Sequence, residues 1–165
     1  MAERLHAAKA FDSARHQPLV RGLTSDTPAK QFEAACEPIV RDILTSYEGF
    51  TAVEKGPTFT GTPFDYFGFK DGEPYVIELK SSRHHYRLPE ETQRHRMEQL
   101  LEAVPVLHIA LLQVKVLEGV YRMLYDDEVI WLFSGRKAPM EPIVDWVRER
   151  LRSDRAKEQL KDSDG

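Results

Sequence analysis

Residues 61–82 read GTPFDYFGFKDGEPYVIELKSS, two apolar runs on either side of Lys70-Asp71-Gly72. Asp-Gly between β-prone runs is a hairpin signal, because both residues accept the positive φ of a tight turn. Strands are therefore expected over 64–69 and 74–80. Side chains alternate along PYVIELK, so Glu78 and Lys80 share one face and Leu79 takes the other. The hairpin carries Asp65 back across the sheet toward them. Leu79 can then face the core while its carbonyl lies near the two carboxylates.

Working outward, Thr27-Pro28 reads as a helix start, followed by the 3.6-residue stripe Phe32, Cys36, Ile39, Ile43 and Leu44. Pro38 inside this helix predicts a kink or a break. Glu48-Gly49 ends it, residues 50–54 read as a strand, and the Gly-, Pro- and Thr-rich segment 55–62 reads as a loop. Pro89 to Val104 reads as a helix with Met97, Leu100, Leu101 and Val104 on its apolar face. Val106–Val116, Val120–Tyr125 and Val129–Phe133 read as strands, and Pro142 to about Leu151 as a last helix. This order predicts an α/β domain, a mixed central sheet flanked by helices. The expected organisation is a flexible arm over 1–26, one domain over 27–152, and a frayed charged tail over 153–165.

A chain of 165 residues, 41% hydrophobic and 30% charged, suits one globular domain. No apolar run is long enough to span a bilayer, and residues 1–20 lack the apolar centre of a secretory signal, so a cytoplasmic protein is expected, or one of the host cytoplasm if it is viral. The single cysteine, Cys36, excludes an internal disulfide and a cysteine-built zinc or iron–sulfur site. Net charge is −4, which is unusual for a nucleic-acid protein, but it is unevenly spread. Residues 31–79 hold nine acids against Arg41, Lys55 and Lys70. Residues 80–96 hold Lys80, Arg83, Arg87, Arg94, Arg96 and three histidines against Glu90 and Glu91.

Carboxylates brought to one point repel, and a divalent cation relieves that repulsion. Hard oxygen ligands suit Mg²⁺, with Mn²⁺ as a substitute. Lys80 beside Asp65 and Glu78 supplies positive charge for a phosphoryl transition state. These are the parts that metal-dependent phosphodiester hydrolysis needs. A lone Glu-x-Lys is most often a solvated ion pair. Here it ends an apolar strand opposite an aspartate.

TPFD and ELK together resemble the PD-(D/E)XK nuclease superfamily, with Phe64 inserted between the proline and the aspartate. Within it, residues 30–133 resemble the archaeal-type Holliday-junction resolvases and the RecU-like resolvases of bacteria, through AKQFEAA, ELKSS, RHHYRL, ETQRHRMEQL and PVLHIALLQV. The resemblance implies a restriction-endonuclease-like core and Mg²⁺-dependent cutting of four-way DNA junctions by a homodimer. It also adds Glu33 as a further metal ligand beside Asp65, Glu78 and the Leu79 carbonyl, with Glu37 as the alternative. The chain departs from those families in its acidity, in Ala34 where a basic residue is usual, and in Thr58, Thr60 and Thr62 where a serine is usual.

Expected DNA contacts are Lys55, Thr60, Thr62, Ser82, Arg83, His84, Tyr86 and Arg87, with Gln93 facing the site from its helix. Trp131, Phe133 and Trp146 read as core or interface residues. Other DNA-processing nucleases of the same chemistry, and a noncatalytic nucleic-acid-binding module, remain alternatives.

Overall fold

The hairpin forms as the Asp-Gly pair requires. In a computed structural model, which describes residues 8–11, 28–58, 62–132 and 140–163, strands β3 (Tyr66–Lys70) and β4 (Glu73–Ser82) pair antiparallel from Tyr66↔Ile77 to Lys70↔Glu73. Asp71 and Gly72 both take positive φ, 54° and 78°, which matches the twist of the flanking strands. Strand β2 (Thr51–Lys55) pairs antiparallel with β3, with a register shift between Thr51 and Glu54.

The chain leaves β4 through helix α2 (Glu91–Ala103) and re-enters the sheet as β5 (His108–Lys115), parallel to β4. A parallel neighbour needs such a crossover. Strand β6 (Val120–Tyr125) then returns antiparallel to β5. A two-residue strand, β1 (Lys9–Ala10), pairs with β6 and completes the order β1-β6-β5-β4-β3-β2. The result is a mixed α/β sheet.

Helix α1 (Ala29–Asp42) covers one face of the sheet. Phe32, Cys36, Ile39 and Ile43 pack there with Ile77, Leu112, Val114 and Tyr121. Helices α2 and α3 (Glu141–Ser163) cover the other face, where Met97, Leu100, Ile143 and Val147 meet Val76, Leu111 and Leu124. Strand β5 is buried on both faces, which is why IALL reads as an unbroken apolar run. Trp131 and Trp146 pack against the second core, as expected. Among the described residues no helix is long and apolar enough to cross a membrane.

Four expectations are corrected. First, α1 continues through Pro38 to Asp42 and then widens into a π turn over Ile43–Tyr47. Pro38 and Ala34 lie on the exposed side, where the carbonyl that loses its amide partner can turn to water. Second, the described residues 129–132 of the segment Val129–Phe133 do not form the expected strand. They contribute one bridge, Glu90↔Leu132, and Phe133 lies outside the described residues. Val129 is buried in the second core and Trp131 packs against it, so side-chain burial and not sheet pairing holds this segment. Third, residues 1–26 are not simply an arm, because Lys9 and Ala10 form β1 and Phe11 is buried in the first core. Fourth, the helix that was to fray after residue 152 runs to Ser163. Ala, Lys, Glu, Gln and Leu, all strong helix formers, recur there.

Candidate active site

The site lies where β3 and β4 part. Pairing stops at Tyr66↔Ile77. Just before it the Asp65 amide donates to the Ile77 carbonyl at 2.8 Å, and the Asp65 carboxylate accepts the Leu79 amide at 2.8 Å. A side chain thus replaces the backbone acceptor that a continuing strand would supply. The N–H and C=O of a strand residue leave from the same edge. The Leu79 carbonyl therefore points into the gap that β3 has left, next to Asp65.

Glu78 points toward α2 and is buried. Its Oε1 accepts the Gln93 amide at 3.0 Å and meets the Lys80 ammonium at 3.3 Å. Gln93 is fixed in turn by accepting the Glu90 amide at 3.1 Å within the capping box that starts α2. The other oxygen of Glu78, Oε2, is buried and has no hydrogen-bond partner among the described residues. Burial, reinforced by the charge of Asp65, pushes the Glu78 pKa well above the ordinary value, and Lys80 and Gln93 only partly oppose it. Asp65 itself is reachable by solvent. Protein atoms still crowd its carboxyl, and this desolvation raises its pKa, against the lowering effects of the Leu79 amide, Glu78 and Lys80. With both groups ionised the two carboxylates face each other as acceptors. A proton on Glu78 can be shared with Asp65.

A cavity of about 500 Å³ opens beside Asp65 and Leu79, walled by Glu33, Glu37, Lys55, Thr58, Thr62 and Ser81 among others. Lys55 pairs with Glu37 at 2.8 Å, and Glu37 also meets Arg41 at 3.3 Å. Lys55 and, to a lesser degree, Arg41 hold the Glu37 carboxyl below the ordinary range. Glu33 is exposed on the same wall. It does not complete a three-acid cluster with Asp65 and Glu78: among the described residues no group of three His, Cys, Asp or Glu side chains is placed to hold a metal. The reason is strand alternation, since α1 packs on the face that Leu79 occupies while Glu78 points to the opposite one.

No protein-family model, curated protein or solved structure matches this chain significantly.

The residues expected to contact DNA separate into several groups. Arg87 and His84 are exposed. Arg83 lies over the Phe32 ring at 4.6 Å, toward α1. Ser82 is buried and bonded to the His85 ring at 3.0 Å, which removes it from an open surface. Tyr86 is not an open stacking platform. Its ring is held at 4.4 Å by both Lys115 and Arg122, and its hydroxyl is buried without a partner among the described residues. Gln93 faces inward, as expected, and donates to Glu78. Lys55 and Thr62 line the cavity, Thr62 donating to the Pro57 carbonyl at 3.1 Å, and Thr60 lies outside the described residues. Cys36 is a buried apolar residue, its thiol pushed up to about 11 by burial and by the charge of Glu33.

Three polar residues near the site escaped the sequence reading. These are Gln113, Lys115 and Arg122. Gln113 carried a signal, a lone amide in the apolar run HIALLQV.

Proposed function

We propose that the chain is a metal-dependent endodeoxyribonuclease that cuts four-way DNA junctions. The observation that carries the nuclease reading is the fork at Asp65 and Glu78, where two carboxylates with raised pKa values, a strand carbonyl and a lysine meet beside a cavity. The resemblance of TPFD, ELK and the first helix to resolvases supports the choice of substrate.

The donor set fits Mg²⁺ or Mn²⁺. Such ions hold one or two carboxylates and keep several waters, and the buried Oε2 of Glu78, which accepts no hydrogen bond among the described residues, is suited to be a ligand atom. Asp65, Glu78 and the Leu79 carbonyl would hold the ion, with Glu33 reaching it from the cavity wall only through water or a movement of α1. When bound, the ion activates water and offsets phosphate charge. The remaining work falls to the chain. Gln93 fixes the rotamer of Glu78. Lys80 is largely withdrawn from water, its side chain only 16% exposed, so its charge is felt strongly by a phosphate at the fork. Lys55 and Thr58 on the cavity wall would face the strand on the other side. A homodimer would give two such sites for paired cuts.

The test is cleavage of a labelled four-way junction beside a linear duplex of the same arm sequence, in Mg²⁺ and in EDTA, with wild type and Lys80→Ala. Paired, metal-dependent cuts in the junction alone are expected, and Lys80→Ala abolishes them. Equal cutting of both substrates keeps the nuclease and rejects the junction preference. Binding without cutting of any DNA shape points to a noncatalytic module.

A further inference from the structure

On the α2 side of the sheet three strands set polar residues in one row. Lys80 on β4 is in register with Gln113 on β5, and Gln113 with Arg122 on β6. Lys115, two positions beyond Gln113, points to the same side. Gln113 has no exposed surface and interrupts the apolar interior of β5 between His108 and Lys115. A buried amide has to satisfy both of its ends. Its Nε2 donates to the Arg87 carbonyl and its Oε1 accepts from Nε of Arg122. One side chain therefore fixes both the basic loop that follows β4 and a guanidinium on β6.

Arg122 and Lys115 both lie against the Tyr86 ring at 4.4 Å. Two cations gathered on one ring repel each other. Glu118, 3.5 Å from Lys115, offsets part of that charge, and the ring face a little more. No hydrogen bond or ion pair among the described residues engages the two Nη groups of Arg122. A guanidinium anchored at Nε with its fork open is organised in advance for bidentate contact with a phosphate.

We propose that Arg122 and Lys115, held apart by Tyr86 and oriented by Gln113, form a phosphodiester-binding site that seats the DNA strand beside Lys80. This rests on the nuclease reading and adds to it the path of the strand. Adjacent strands lie about 4.8 Å apart, so Arg122 is roughly 10 Å from Lys80 across the sheet. That spacing suits a phosphate flanking the scissile one. Arg122 and Lys115 are binding residues, and Gln113 is a positioning residue.

The experiment measures binding of a labelled linear duplex and a labelled four-way junction, in EDTA, over a series of salt concentrations. Arg122→Gln and Lys115→Gln are each expected to weaken binding roughly tenfold and to lower the salt slope by about 1. Gln113→Leu keeps both charges but releases Arg122, so affinity falls while the slope stays. A purely structural role for these residues does not produce that split. If wild type binds DNA and the slopes of Arg122→Gln and Lys115→Gln are unchanged, this site is rejected and the nuclease reading stands. If wild type binds neither probe, both are rejected. Should Arg122→Gln fail to fold, Lys115→Gln at the end of β5 decides alone.

Discussion

Glu48 and Glu78 are both buried glutamates, at 5% and 3% exposure, and their pKa values move in opposite directions. Glu48 follows the π turn and accepts three hydrogen bonds, from Lys9 at 2.9 Å, Tyr121 at 2.7 Å and Tyr125 at 2.9 Å. Lys70 stands 3.8 Å away. Burial pushes this carboxyl up, yet the donors outweigh it and its pKa lies below the ordinary value. Glu78 suffers the same desolvation with a second carboxylate beside it, and its pKa rises. Burial sets the cost of the charge, and the number of donors decides whether that cost is met. A carboxylate satisfied by three donors serves the fold. One left with a partnerless oxygen destabilises the fold unless something else binds it, which is the role proposed for a cation at Glu78.

The sharpest way to break this contrast is Glu78→Gln. Loss of a metal ligand is expected to lower single-turnover cleavage roughly 1,000-fold or more, since several kcal/mol of charge stabilisation depend on it. The same variant should be as stable as wild type or more so in EDTA, and should lack the rise in melting temperature that Mg²⁺ is expected to give wild type. If it is instead destabilised, Glu78 is a structural carboxylate like Glu48.

Glu48→Gln is expected to do the opposite. It should lose about 2–3 kcal/mol in urea denaturation, because hydrogen bonds to a buried charge are weakened, while cleavage stays within a few-fold. The pH dependence has opposite signs at the two sites. Glu48 has a folded pKa below its unfolded one, so its stabilisation is present above about pH 4.3 and is lost as pH falls through the folded value. Asp65 and Glu78 have folded pKa values above the unfolded ones, so acidification through those values relieves their cost. The deficit of Glu48→Gln should therefore shrink in acid, and so should any stability advantage of Glu78→Gln.

The smallest expected effect is that of Lys9→Ala. Its side chain is 59% exposed, so the pair with Glu48 contributes about 0.5–1 kcal/mol. Faster amide exchange in β1 with the rest of the sheet unchanged would show that Lys9 ties down the edge strand.

Much of this site was legible because its parts are close in sequence. Lys70-Asp71-Gly72 announces the hairpin, and alternation along PYVIELK puts Glu78 and Lys80 on one face. Both are local rules that act within a few residues. Gln93 was expected to face the site, but its partner was not foreseen, because a helix phase gives a direction and not a contact. Glu33 shows the limit of resemblance: α1 places it on the cavity wall, on the face opposite Glu78, and no spacing between residues 33 and 78 encodes that.

The sequence by itself determined the hairpin, the apolar β5, the helix faces and the pairing of chemistry at Asp65, Glu78 and Lys80, since turn propensity and side-chain periodicity are properties of short segments. Only the tertiary structure decided that Lys9 reaches Glu48, that β1 pairs with the start of β6, and that Gln113 joins Arg87 to Arg122. Those contacts join residues far apart in the chain. They depend on the order in which strands pair, which the whole set of packing choices fixes together.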